Sequence, residues 1–185
     1  MTELDFRALW DAALTYEDFV AGAAQHRGLW SGVYRVAEVP ESASKAIPAG
    51  TTRRFLVIAE DWCGDASNAV PVIAKWVHQT AGLDLKILRR DEHPAVMDAY
   101  LTDGSRSIPI VIALGPDFEE LGHWGPRPRE LQRFVVERRS VVPKGELYPQ
   151  VRRWYAKDRG RTILREVLEA AQLPVSAQPV RRSAG

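Results

Sequence analysis

Residues 53–89 carry a short apolar run, a helical stretch and a second strand pattern, in that order. The run Arg53–Glu60 (RRFLVIAE) is continuous rather than alternating, as in a buried strand. From Cys63 or Gly64 to about Thr80 the spacing predicts a helix, which Gly82 ends. Leu83–Arg89 (LDLKILR) alternates and reads as a second strand. A helical crossover between two strands implies parallel pairing with a right-handed connection. This unit places the chain in the α/β class.

The segments that follow extend the sheet. His93–Leu101 reads as a short helix with Pro94 in its first turn. Ser107–Leu114 is a strand that begins near a proline, Gly115-Pro116-Asp117 a turn, and Phe118–Trp124 the returning strand of a hairpin. Pro126–Arg138 reads as a helix with Leu131, Phe134 and Val135 on one face. The result is a mixed α/β sandwich with helices on both faces of the sheet.

Both ends carry additional helix. Residues 5–26 have apolar positions at helical spacing, and Thr15 with Asp18 resembles a capping box that starts a second helix. Leu29 to Val36 forms a further short helix, and Pro40–Gly50 reads as a linker. Leu147–Ala156 and Arg161–Ala170 form a helical tail whose apolar face is expected to pack on the domain, and Pro174–Gly185 is expected to be disordered. The chain thus divides into an N-terminal helical extension (1–50), a central domain (51–140), C-terminal helices (141–172) and a flexible tail (173–185). The N-terminal helices either cover a sheet edge or form a dimer surface, and the oligomeric state is left open.

Composition narrows the function classes. A chain of 185 residues, 45% hydrophobic, is long enough to bury a core, and a net charge of +1 gives no global attraction to nucleic acid or an acidic membrane. The basic groups at Arg138-Arg139, Arg152-Arg153 and Lys157–Arg165 read as solvated helix faces. No stretch approaches the roughly 18 apolar residues that span a bilayer, and the first residues lack a secretory pattern. A cytoplasmic location is expected. The single cysteine excludes an internal disulfide and a cysteine-built metal site. His26, His78, His93 and His123 lack ligand spacing, so neither a metal nor another cofactor is expected.

That cysteine lies in Glu60–Pro71 (EDWCGDASNAVP), behind the first buried strand and at the head of the long helix. Trp62-Cys63-Gly64, Pro71 eight residues after the cysteine, and Ile108-Pro109 before a buried strand make residues 53–138 resemble thioredoxin. Asp91, Tyr100 and one of Gly122 or Gly125 fall in step with that family. Both terminal helical regions, with Trp154-Tyr155 in the tail, look like a bacterial thioredoxin-like subfamily with a Trp-Cys-Gly-Asp or Trp-Cys-Pro-Asp motif. The resemblance implies a thioredoxin-like three-layer sandwich, a cis Ile108–Pro109 bond beside the thiol, and Cys63 as nucleophile. It also implies a substrate groove formed by Trp62, Gly64, Ile108 and Pro109.

The departures bear on the chemistry. Ala66 stands where the family has its second cysteine, Val57 where it has a buried proton-accepting aspartate, Ile87 where it has a lysine near that aspartate, and Asp65 in place of the usual proline. With no resolving thiol in the chain, release of a mixed disulfide falls to an external thiol. The expected partners are disulfide-containing proteins or low-molecular-weight thiols. The alternatives are a non-catalytic binding module built on the same groove and a single-cysteine redox sensor.

Cys63 itself faces opposed influences. Helix N–H groups and the helix dipole favour its thiolate. Glu60, Asp61 and Asp65 each oppose the thiolate if they lie close, and exposure of Asp65 would let solvent screen it. The expected balance is a modest downward shift. Ser67 reads either as a hydrogen-bond donor to the thiolate or as a helix-surface serine. Trp62 reads as a packing aromatic or a flat apolar contact beside the thiol, and Trp76 and Trp124 as core.

Overall fold

The computed structural model describes residues 4–45 and 47–175. Residues 176–185, most of the stretch expected to be disordered, lie outside the described residues.

The elements run α1 (Phe6–Ala12), β1 (Leu14–Thr15), α2 (Tyr16–Ala21), α3 (Arg27–Val36), α4 (Glu41–Lys45), β2 (Arg53–Ala59) and α5 (Gly64–His78). They continue with β3 (Leu83–Arg89), α6 (Pro94–Asp98), β4 (Ile110–Leu114), β5 (Glu120–Trp124), α7 (Arg129–Arg138), α8 (Lys144–Asp158) and α9 (Arg161–Ala170). The five-stranded sheet has the order β1-β3-β2-β4-β5. β2 and β3 are parallel, with Val57 opposite Ile87, while β2–β4, β4–β5 and β1–β3 are antiparallel. A mixed sheet flanked by helices, with further helices at both termini, is the expected α/β arrangement.

The continuous apolar run explains why β2 lies at the centre of the sheet. Phe55, Leu56, Val57, Ile58 and Ala59 have no solvent exposure. They fill the core together with Trp76, Ile73 and Val70 of α5 and Ile110–Leu114 of β4. Burying such aliphatic side chains contributes about 1.5–3 kcal/mol each.

The N-terminal region departs from the purely helical expectation. Leu14 and Thr15 pair with Ile87 and Lys86 as the fifth strand of the sheet, so this region covers the edge of β3. The Thr15 cap is present: its side chain accepts from the Asp18 N–H at 3.1 Å and begins α2. Trp30 and Phe19 are fully buried with their rings 5.0 Å apart. The expected linker contains α4, a single short helix. The helix expected over 93–101 is limited to α6, and the strand expected from Ser107 begins at Ile110. Its first residues include Pro109, which has no N–H for a ladder.

The C-terminal helices pack on the domain as their apolar faces require. α9 carries Ile163, Leu164, Val167 and Leu168 into the core and lies against β4, β5 and α5. Gly160, between α8 and α9, has φ +78°, and a Cβ there would lie 2.4 Å from Val72 Cγ1 on α5. Only glycine accommodates both the left-handed backbone and that approach. The turn thereby brings α8, with Tyr155, beside the start of α5.

Candidate functional site

Cys63 is the N-cap of α5, with extended backbone (φ −79°, ψ 116°). Its Sγ accepts from the Ala66 N–H at 3.5 Å, and its S–H donates to the Ile108 carbonyl, also at 3.5 Å. The Ile108–Pro109 peptide bond is cis, and the Gly125–Pro126 bond is cis as well. Gly125 packs directly under this loop, since a Cβ on it would lie 2.1 Å from the Pro109 carbonyl oxygen. The start of α5, the loop before β4 and the loop after β5 therefore converge at one thiol. Gly64 occupies the first turn of α5, and Pro71 lies within that helix.

The three carboxylates near Cys63 in sequence have different surroundings. Glu60 is buried; its Oε1 accepts from the Asp91 N–H at 2.9 Å and its Oε2 lies 3.8 Å from Arg89. Burial pushes the Glu60 carboxyl above the usual range, against the Asp91 N–H, which opposes the shift. Asp61 is also buried, and its Oδ2 accepts from the N–H groups of Ala24 and Gln25 at 2.6 and 2.9 Å. Burial works to raise the Asp61 carboxyl, but the Gln25 and Ala24 N–H groups and Arg89 outweigh it and hold the group below its ordinary value. The Trp30 indole donates to the Asp61 carbonyl at 3.0 Å, tying the N-terminal extension to the loop that leads into Cys63. Neither Glu60 nor Asp61 is among the leading influences on the thiol.

Asp65 is the exception. Solvent offers it little screening, since Asp65 is 6% exposed. Its Oδ2 accepts from Arg127 Nη2 at 2.5 Å and its Oδ1 accepts from the Tyr155 hydroxyl at 3.0 Å. Arg127 Nη1 donates to Gln132 Oε1 at 2.9 Å, and its buried Nε meets no acceptor among the described residues.

The expected downward shift of Cys63 is reversed. Burial, with 9% of the residue exposed, pushes the thiol up. The Ala66 N–H opposes that, the Asp65 charge adds to it, and the Asp65 N–H and Arg127 oppose it without overcoming it. The helix N-terminus does favour the anion as expected, but lost hydration is the larger effect. Ser67 is fully buried rather than on the helix surface, and its hydroxyl donates to the Gly64 carbonyl at 3.0 Å instead of the thiol.

The remaining expected residues fall around the same centre. Trp62 is 39% exposed, with the Arg90 guanidinium 4.8 Å from its ring centroid. Ile108 is buried beside Cys63, Ala66 is fully buried, and Val57 and Ile87 leave an apolar floor in the sheet. Trp76 and Trp124 are core residues. Among the described residues no group of three or more His, Cys, Asp or Glu side chains is placed to hold a metal ion. Among them no helix is long and apolar enough to cross a membrane.

Sequence reasoning missed Arg127, Gln132 and Tyr155. One signal was present for the first: Gly-Pro-Arg-Pro at 125–128 fixes an arginine between two prolines, directly after the last strand. Tyr155 stood out only as a helical apolar position and as part of the Trp154-Tyr155 pair in the tail.

A family model described as Thioredoxin matches residues 13–142. No curated protein matches the chain. Among solved structures, a protein of unknown function from Pseudomonas aeruginosa is 18% identical, with a TM-score of 0.73 over 92% of this chain and 98% of that one. An HIV epitope-scaffold crystal structure is 17% identical, with a TM-score of 0.71 over 91% of this chain and 98% of its own. At these identities the two structures establish the shared fold.

Proposed function

Since the chain belongs to the thioredoxin family, we propose that it exchanges disulfides through one thiol, Cys63, and that a second molecule supplies the resolving thiol. The observation that carries this reading is the placement of Cys63 Sγ. It caps α5, takes the Ala66 N–H and adjoins the Ile108 carbonyl at the cis-proline loop.

The chemistry balances without a second cysteine. The Cys63 thiolate attacks one sulfur of a substrate disulfide R–S–S–R′. The S–S bond breaks, Cys63–S–S–R forms, and R′–S⁻ leaves and takes a proton. An external thiolate R″–S⁻ then attacks the sulfur of R, giving R–S–S–R″ and restoring the Cys63 thiolate. Ala66, in the position of a resolver, supplies only a methyl group and its N–H. The intramolecular advantage of a dithiol enzyme is therefore absent. The upward shift of Cys63 lowers its resting thiolate fraction at neutral pH, so the rate is expected to climb through the alkaline range.

A second reading is favoured by one observation, the burial of the thiol. In it the chain holds an extended partner segment along Trp62, Gly64, Ile108 and Pro109 without covalent chemistry. A turnover assay with a chromogenic mixed disulfide, supplied with increasing low-molecular-weight thiol, separates the readings. Exchange predicts turnover first order in the added thiol and abolished in C63S. The binding module predicts no turnover, and partner capture that C63S retains.

A further inference from the structure

We infer that Arg127 is a positioning residue for the reactive thiol: paired with Asp65, it neutralises the carboxylate that most opposes formation of the Cys63 thiolate. The inference rests on the reading of Cys63 as a nucleophile only for its consequence in catalysis; the charge arrangement stands by itself.

The geometry is specific. Asp65 lies in the first turn of α5, two residues past the cap, and is buried; its charge acts on Cys63. Both of its oxygens are engaged by other segments, Oδ2 by Arg127 from the loop after β5 and Oδ1 by Tyr155 from α8. Arg127 is in turn fixed through Nη1 by Gln132 of α7. Pro126 and Pro128 flank it, and Gly125 fits against the Pro109 carbonyl, so the cis-proline loop and the arginine share one support. The side chain of Arg127 is 14% exposed, which leaves little solvent to replace the ion pair. Its Nε–H is buried without an acceptor among the described residues, so the cation retains one uncommitted donor.

The leading charged and titratable groups acting on Cys63 from its neighbours are Asp65 on its own helix, Arg127 on the β5–α7 loop and Tyr155 on α8. Tyr148, also on α8, acts on Arg127. Burial and the Asp65 charge hold the Tyr155 phenol well above its ordinary value, so it remains a neutral donor to Asp65 through the pH range in which thiols ionise. Arg127 is thus the one cation in the set. Without it, Asp65 would confront the thiolate as an uncompensated buried anion.

The test is the rate of Cys63 alkylation by iodoacetamide, a neutral reagent, as a function of pH. Folding is checked by circular dichroism. In R127Q the midpoint moves up by about one pH unit and the rate near neutral pH falls about tenfold. In D65N it moves down, because the opposing carboxylate is gone and the arginine stays. R127K restores most of the wild-type midpoint, and R127Q/D65N returns close to it. Opposite signs for R127Q and D65N are the signature, since a merely structural pair would loosen the site and move both midpoints the same way. Shifts of the same sign, or no shift in folded proteins, overturn the inference. If R127Q does not fold, the downward shift in D65N and the near-normal profile of R127K carry the same test. Alkylation requires no disulfide turnover. A chain without exchange activity but with these opposite shifts therefore retains this inference and loses the proposed function.

Discussion

The two flanks of Cys63 handle buried acid groups in opposite ways. On the side of β2, Glu60 and Asp61 turn into the protein: Glu60 meets the Asp91 N–H, and Asp61 clasps the Ala24 and Gln25 N–H groups of the N-terminal extension. On the side of α5, Asp65 stays near the thiol and is met by Arg127 and Tyr155, from segments far along the chain. All three carboxylates are within three residues of the cysteine, yet only the third is among the leading influences on it. Nearness in sequence therefore says little about which charge a reactive group experiences. What decides is which segment folds back to take the carboxylate. The N-terminal flank is an anchor and the C-terminal flank an electrostatic setting.

The largest expected effect comes from placing an acid where neither flank can reach. Val57 is fully buried in the sheet, beside Ile87 and Val111. V57D puts back the family's acid without a partner and should cost about 3–5 kcal/mol in urea unfolding near neutral pH. The loss should shrink as the pH falls and the new carboxyl takes a proton. A tolerated V57D with unchanged midpoint would show that the floor is more polar than its packing indicates.

Next is the anchor. D61A leaves two N–H groups without their acceptor and should cost about 1–3 kcal/mol. The acid dependence has a definite sign. The Asp61 carboxyl lies below its ordinary value in the fold, despite burial, because of the Gln25 and Ala24 N–H groups. Its contribution is therefore present above the unfolded value, about 4, and is lost as the pH falls through the folded value. Urea titrations at stepwise lower pH should show this loss in the wild type and not in D61A.

A smaller effect belongs to the thiol. Cys63 is raised in the fold, chiefly by burial. Folding keeps the proton that the unfolded chain releases, so this stabilisation is present below about pH 8.5 and is lost as the pH rises beyond it. C63A should remove that decline in urea titrations carried through the alkaline range. The smallest effect is expected at Trp62. W62A should change stability by less than about 0.5 kcal/mol, since the ring is 39% exposed, while weakening capture of an extended partner segment.

The sequence disclosed those parts of the molecule whose causes are local. The apolar run of β2, the alternation of β3 and the cap position of Cys63 follow from neighbouring residues, and α9 has the expected limits of Arg161 and Ala170. β1 was hidden within a helical pattern because Leu14 and Thr15 become a strand only by pairing with Ile87 and Lys86. Asp65 looked like a helix-start carboxylate because its partners are remote: Arg127 is 62 residues away and Tyr155 is 90. The direction of the Cys63 shift was missed for the same reason. Local signals report the helix N-terminus but not the three segments that close over the thiol.

The most direct test of the central claim is an intact-mass measurement on the folded chain mixed with a small mixed disulfide, before and after a second thiol is added. The account predicts one adduct, confined to Cys63 and formed faster as the pH rises, which disappears when the second thiol is added. A folded chain that stays unmodified under conditions where the unfolded chain is labelled would contradict it.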